Sequence, residues 1–285
     1  MLKIYKELAG KRASSPEWGD ANGFLQSVLV EVATENYRQL MFESLALAPS
    51  NETEVQLHLD PPLRANERVI SGLFATAIGR IAPRSRPEAR IDRTEWQTSV
   101  EALSDDTLGG DGATTKTGRV DYLAWYGQRI FAVELKAAAM NCERSEVTKT
   151  VSERWNKVVK QARSAQTHLR RLQLVDPVRY PEPVSLALMV VIGRRAISAS
   201  SGEDDGVAQS SKKEVLDEGI EAMESCFMES FKGLKTPPTF RALYTFPQEF
   251  RQLAPRKEGR AVVNKSHSIY TPFVAFLGKA LVKGS

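Results

Sequence analysis

Residues 119–136 read RVDYLAWYGQRIFAVELK, and the Gly127-Gln128 pair in the middle of this run restricts the fold more than any other feature. A two-residue type II′ turn takes glycine at its first central position. The flanks carry Tyr, Trp, Ile, Phe and Val, the composition of strands. A β-hairpin is therefore predicted, and its turn fixes the register. Tyr126 faces Arg129, and stepping outwards along both strands brings Asp121 opposite Glu134. Directly opposed residues share a face, with Cβ atoms about 4.5–5.5 Å apart. Lys136, two residues beyond Glu134, points the same way. Leu123, Trp125, Ile130 and Ala132 line the rest of that face, so two carboxylates and an ammonium gather at one end of an apolar surface.

Like charges at that separation are destabilising without a cation between them. The chain has three histidines and no HxxxH or HExxH pair. A hard, oxygen-liganded ion suits two carboxylates, and Mg²⁺, with Mn²⁺ as a substitute, is the expected cofactor. A lysine beside it can orient or help deprotonate an attacking water, or neutralise charge developing on phosphorus. That chemistry is metal-assisted hydrolysis of a phosphodiester. The competing reading of Glu134-Leu135-Lys136 is an exposed strand edge, whose ion pairs contribute ~0–1 kcal/mol.

The surrounding periodicity supplies helices and further strands. Residues 20–48 repeat apolar positions every three or four residues and read as a long helix. VQLHLD, 55–60, is a short alternating run. In NERVISGLFATAIGRIA, Asn66 is a candidate N-cap, and Val69, Ile70, Leu73, Phe74, Ala77, Ile78 and Ile81 form one stripe. PRSRP breaks that helix, and 88–100 is a candidate strand. Gly-rich 105–118 and polar 198–213 read as loops. Residues 152–174 read as a helix capped at Ser152. VSLALMVVIG, 184–193, is an apolar run suited to a strand buried on both faces. Residues 214–234 form a further helix, and TFRALYTF, 239–246, a further strand. This order mixes a hairpin with a βαβ-like crossover, which implies an α/β fold with a mixed sheet flanked by helices.

An Asp on one strand and Glu-X-Lys on the next, followed by a helix and an apolar strand, resembles the PD-(D/E)xK nuclease superfamily, which includes restriction endonucleases, Holliday junction resolvases and RecB-like nuclease domains. The resemblance covers roughly residues 65–250. It implies a restriction-endonuclease-like central sheet of about five strands with an added N-terminal helical segment. The implied layout is a helical extension over 1–60, a nuclease-like core over 61–250 and a basic segment, 251–285, packed on that core. By position, the resemblance makes Asp121 and Glu134 metal ligands, the backbone carbonyl of Leu135 a further ligand, and Lys136 the catalytic lysine. Glu67 corresponds to a third acid and metal ligand; its alternative is a first-turn glutamate favoured by the helix dipole. Gln161 corresponds to a glutamine on the helix after the motif, or is a plain exposed helix residue. Val120 stands where many members have proline. Glu95 either faces the site from the first core strand or pairs with Arg90 or Arg93.

Charge fits a polyanionic partner. From Arg251 onwards there are seven Lys/Arg against one acid, Glu258. On the helix 152–174, Arg154, Lys157, Lys160 and Arg163 are placed to contact phosphates. The expected function is a divalent-metal-dependent nuclease acting on DNA. The alternative is a catalytically inactive chain of the same fold that binds nucleic acid or a protein. Double-strand cutting suits a homodimer, and the 20–48 helix suits a protein partner. With 42% hydrophobic residues, the 285-residue chain can bury one large core or two modest ones. No run approaches the ~18 apolar residues of a membrane span, and the N-terminus lacks an apolar signal core, so a cytoplasmic protein without membrane contact is expected. Its two cysteines read as free thiols.

Overall fold

The computed structural model describes residues 1–5, 16–46, 62–91, 118–198, 215, 217–251, 253–255, 257–258, 261–262 and 267–281. In chain order the elements are β1 (Leu2–Tyr5), α1 (Pro16–Ala46), α2 (Glu67–Ile81), β2 (Arg84–Pro87), β3 (Arg90–Ile91), β4 (Gly118–Arg119), β5 (Tyr122–Tyr126), β6 (Arg129–Asn141), α3 (Lys149–Val175), β7 (Pro183–Ser198), α4 (Ile220–Ser230), β8 (Phe240–Thr245), β9 (Leu253–Pro255), β10 (Lys257–Glu258), β11 (Ala261–Val262) and β12 (His267–Leu281). The expected strand at 55–60, most of the one expected over 88–100 (Glu95 included), and most of the two expected loops lie outside the described residues.

The chain is an α/β fold built on an eight-stranded mixed sheet ordered β1-β8-β12-β7-β6-β5-β2, with β9 pairing with β12 off this path. The β6–β7 pair is parallel, as the α3 crossover requires, and its neighbours are antiparallel. Helices α1 and α2 cover one face, where Phe24 stacks on Phe131 with ring centroids 4.3 Å apart. Helices α3 and α4 cover the other, with Trp155 and Phe227 fully buried against β7 and β12. Both faces being covered explains the unbroken apolar run in β7.

The sheet is larger than the expected five strands, and the additions come from segments that sequence placed outside the core. β12 lies between β8 and β7 near the middle of the sheet. Pro272 argues against a central strand, because it has no N–H for a ladder. Here it falls at the register shift between Tyr270 and Phe273, where the ladder is already interrupted. β1 pairs with β8, and Glu224 anchors it by accepting from Lys3 Nζ (2.7 Å) and Tyr5 Oη (2.6 Å). α1 is a core helix rather than an appendage: Trp18, Phe24, Leu25, Val28, Leu29 and Val32 are buried.

Caps follow local chemistry. Asn66 accepts from the N–H groups of Arg68 (3.0 Å) and Val69 (3.2 Å), as predicted. α3 starts earlier than expected, because Thr148, not Ser152, accepts from an N–H of its first turn, that of Val151. Among the described residues, no helix is long and apolar enough to cross a membrane.

One buried amide ties α3 to the sheet. Gln166 Nε2 donates to the Pro183 carbonyl (2.8 Å), and its Oε1 accepts from the Ser185 N–H (2.5 Å). Gln166→Leu leaves both backbone groups buried without partners and is expected to destabilise the fold by roughly 2–4 kcal/mol in urea denaturation. A change within roughly 0.5 kcal/mol would show that the start of β7 is held by other means.

Candidate active site

The hairpin forms as its turn dictates. Gly127 has φ +60° while Gln128 stays at negative φ, the pattern of a type II′ turn. The pairs run from Tyr126↔Arg129 to Tyr122↔Val133, the expected register, and the ladder ends there, one step short of Asp121 and Glu134. Leu123, Ile130 and Ala132 share a cluster with Ala165 and Leu169 of α3, and strand alternation carries Glu134 to that same side, where the charge of Asp121 reaches it. Asp121 itself sits in a bend at the start of β5. Its carbonyl accepts from the N–H of Glu88 (2.6 Å), a non-glycine residue at φ 51°. This irregular step takes Asp121 out of the regular ladder.

What happens next depends on unequal strand lengths. Pairing with β5 stops at Val133, whereas β6 runs on to Asn141. The N–H and C=O of one strand residue point to the same side. Leu135 and Ala137 therefore present their backbone groups along an open edge. Acidic side chains cap this edge: Asp121 Oδ2 accepts from the Leu135 N–H (2.7 Å), and Glu67 Oε2 from the Ala137 N–H (3.2 Å). Lys136 Nζ donates to the Leu135 carbonyl (2.9 Å) and to Glu67 Oε1 (3.1 Å). Arg154, from the first turns of α3, donates to the Ala137 carbonyl and lies 4.0 Å from Glu67 Oε2. Four charged side chains, from the bend before β5 and from β6, α2 and α3, thus meet on one short edge.

Glu134 differs from the rest. It is 3% exposed, and no donor among the described residues bonds its carboxylate. Burial, then the nearby Asp121 charge, push its pKa up to about 8, with Lys136 opposing. A buried carboxylate raised in this way, beside a second carboxylate and the edge carbonyl of Leu135, is a hard-oxygen donor set whose negative charge the Lys136 ammonium only partly offsets. Among the described residues, no group of three His, Cys, Asp or Glu is arranged to hold a metal, so a dedicated protein cage is absent there. Mg²⁺ fits this smaller set, because it binds through one or two carboxylates and completes its shell with water and substrate phosphate.

Asp121, Glu134, Leu135, Lys136 and Glu67 are therefore brought together. Gln161 lies on α3 between Val158 and Ala165, which are buried in the clusters that also hold Ala138 and Ala132 of β6. Its Oε1 is buried without a hydrogen-bond partner among the described residues. Lys157, Lys160 and Arg163 are exposed along α3, and Arg154 is partly engaged by the β6 edge. In the basic C-terminal region, Arg251 pairs with Asp217 (2.9 Å) and Lys279 donates to the Pro237 carbonyl, while Arg256, Arg260, Lys265 and Lys283 lie outside the described residues. Sequence reasoning missed Arg154 as a partner of the edge. It also missed Ser71, whose Oγ lies 2.5 Å from Tyr122 Oη and pins β5 to α2. Neither contact has a local sequence signal, since each joins residues far apart in the chain.

Comparison with protein-family models, with curated proteins and with solved structures finds no match to this chain.

Proposed function

We propose that the protein is a divalent-metal-dependent nuclease of the PD-(D/E)xK type, with a restriction-endonuclease-like core and DNA as its expected substrate. The observation that carries this reading is the convergence of Asp121, Glu134, the Leu135 carbonyl and Lys136, with Glu134 buried and without a hydrogen bond among the described residues.

Asp121, Glu134 and the Leu135 carbonyl would hold Mg²⁺ or Mn²⁺, and Glu67 stands next to them as the third acid. The ion, when bound, acts as a Lewis acid on the phosphodiester and lowers the pKa of a water. The protein's own groups do the positioning. Asp121 is fixed by its bond to the Leu135 N–H, so its remaining oxygen is aimed without further ordering. The Lys136 ammonium, held between the Leu135 carbonyl and Glu67, has a donor left to orient the attacking water or to neutralise charge on the phosphorane. Arg154 fastens the N-terminal end of α3 to the edge, so that Lys157, Lys160 and Arg163 extend a cationic line from it for phosphate contacts.

The direct test is incubation of the protein with plasmid, linear DNA and RNA, each with Mg²⁺, Mn²⁺ or EDTA. Cleavage of DNA with either metal and none with EDTA is expected. Metal-independent nucleic-acid binding with no cleavage of any substrate would replace the nuclease by the binding protein of the same fold.

A further inference from the structure

The same face of the sheet carries a second feature, nearer the hairpin turn. On the edge strand β2, Arg84 lies opposite Trp125 and Arg86 opposite Leu123, so both arginines share the face of Asp121 and Glu134. The Arg84 guanidinium sits over the Trp125 ring, 4.7 Å from its centroid. Trp125 Nε1 donates to the Arg179 carbonyl (3.4 Å), and the Arg179 guanidinium sits over the Tyr180 ring at 5.6 Å. Two aromatic rings and two planar cations thus form a connected surface, with the rings half-buried and the arginines exposed.

The charge on this surface is unspent. Arg38, Arg80, Arg119, Arg129, Arg195 and Arg251 each pair with a carboxylate. Arg84, Arg86 and Arg179 make no ion pair among the described residues. Edge strands often carry cations to discourage pairing with another chain, but that role needs charge alone and not guanidinium planes laid over rings.

We infer that Arg84, Trp125, Arg179 and Tyr180 form a stacking platform for unpaired bases of a single nucleic-acid strand. Duplex bases bury their faces against each other, whereas splayed bases stack on aromatic rings and guanidinium planes. Trp125 lies four residue steps from Asp121, about 13 Å of extended chain. That is a span of roughly four stacked nucleotides, with Arg86 midway to receive a phosphate. The platform therefore gives the proposed nuclease a preference for substrates with a single-stranded segment beside the scissile bond. This rests on nucleic acid being the substrate, as in the reading above.

Fluorescence anisotropy in EDTA separates binding from cleavage, using a labelled single strand of mixed sequence and the blunt duplex formed with its complement. The unaltered chain is expected to prefer the single strand. The double variant Arg84→Lys/Arg179→Lys keeps both charges and removes the planes; it should bind the single strand about tenfold more weakly, with duplex affinity and melting temperature unchanged. Equal affinity of the lysine variant for the single strand, a preference for duplex, or no binding to either probe overturns the platform. Single-strand binding that the lysine variant loses, without cleavage in metal, keeps the platform and removes the nuclease. Cleavage in metal that the lysine variant retains, with single-strand affinity unchanged, does the reverse.

Discussion

Asp121→Asn is expected to reduce metal-dependent phosphodiester cleavage by on the order of a hundredfold to a thousandfold while leaving the fold intact. The choice of asparagine follows from the geometry. Asp121 accepts from the Leu135 N–H at 2.7 Å, so it closes the open edge of β6 as well as offering charge. Alanine would remove both functions and confuse lost structure with lost chemistry, since an uncapped buried N–H costs about 1–3 kcal/mol. Asparagine keeps an acceptor oxygen and removes only the charge. Lys136→Ala complements it, deleting the ammonium and its bonds to the Leu135 carbonyl and Glu67 while leaving the Asp121 cap on the Leu135 N–H in place. Cleavage of plasmid and linear DNA in Mg²⁺, with melting curves on the same samples, is the measurement. Either variant cutting at the unaltered rate removes the assignment.

The second large effect is a dependence of stability on pH. Glu134 has its pKa raised in the folded state to about 8 from an ordinary 4.5, first by burial and then by Asp121. The sign follows from proton binding. Below pH 4.5 the carboxyl is protonated in both states and costs nothing. As pH rises towards 8 the unfolded chain ionises freely while the folded one resists, so the folded state holds more protons and stability falls. Over that window the loss is on the order of 5 kcal/mol. In EDTA, Glu134→Gln is expected to remove this part of the slope and to make the protein more stable than the unaltered chain at pH 8. Asp121→Asn should shrink the slope, because Asp121 is the second cause of the shift. Mg²⁺ should flatten it for the unaltered chain and leave Glu134→Gln unchanged. Urea denaturation at several pH values reads all three, and an undiminished slope in Glu134→Gln would falsify the account of Glu134.

A good part of this site is written in short-range chemistry. Gly127 dictates a tight turn, the turn dictates register, and the two-residue alternation of strands then decides that positions 121, 134 and 136 start on one face. Asn66 caps α2 for the same local reason, which places Glu67 in the first helical turn. The apolar run of 184–193 announces a strand covered on both faces. These inferences need only neighbouring residues, because turn conformation, capping and side-chain alternation are properties of a few consecutive dihedrals.

The rest was decided by parts of the chain that meet only on folding. The segment 251–285, expected as a basic segment packed on the core, instead supplies β12 inside the sheet, where the register shift beside Pro272 makes room for a residue without an N–H. The Leu135 and Ala137 amides stand open because β5 ends before β6 does, a comparison of two lengths that no local pattern contains. Glu67 and Arg154 reach that edge from helices on opposite faces of the sheet. The elevated pKa of Glu134 arises from exclusion of water by packed elements, and its Glu-Leu-Lys tripeptide would carry no such shift on an exposed edge. The amino-acid order by itself determined which charged groups begin side by side; long-range packing decided which backbone groups they cap and how much solvent they lose, because desolvation and unpaired hydrogen bonds exist only once distant segments surround them.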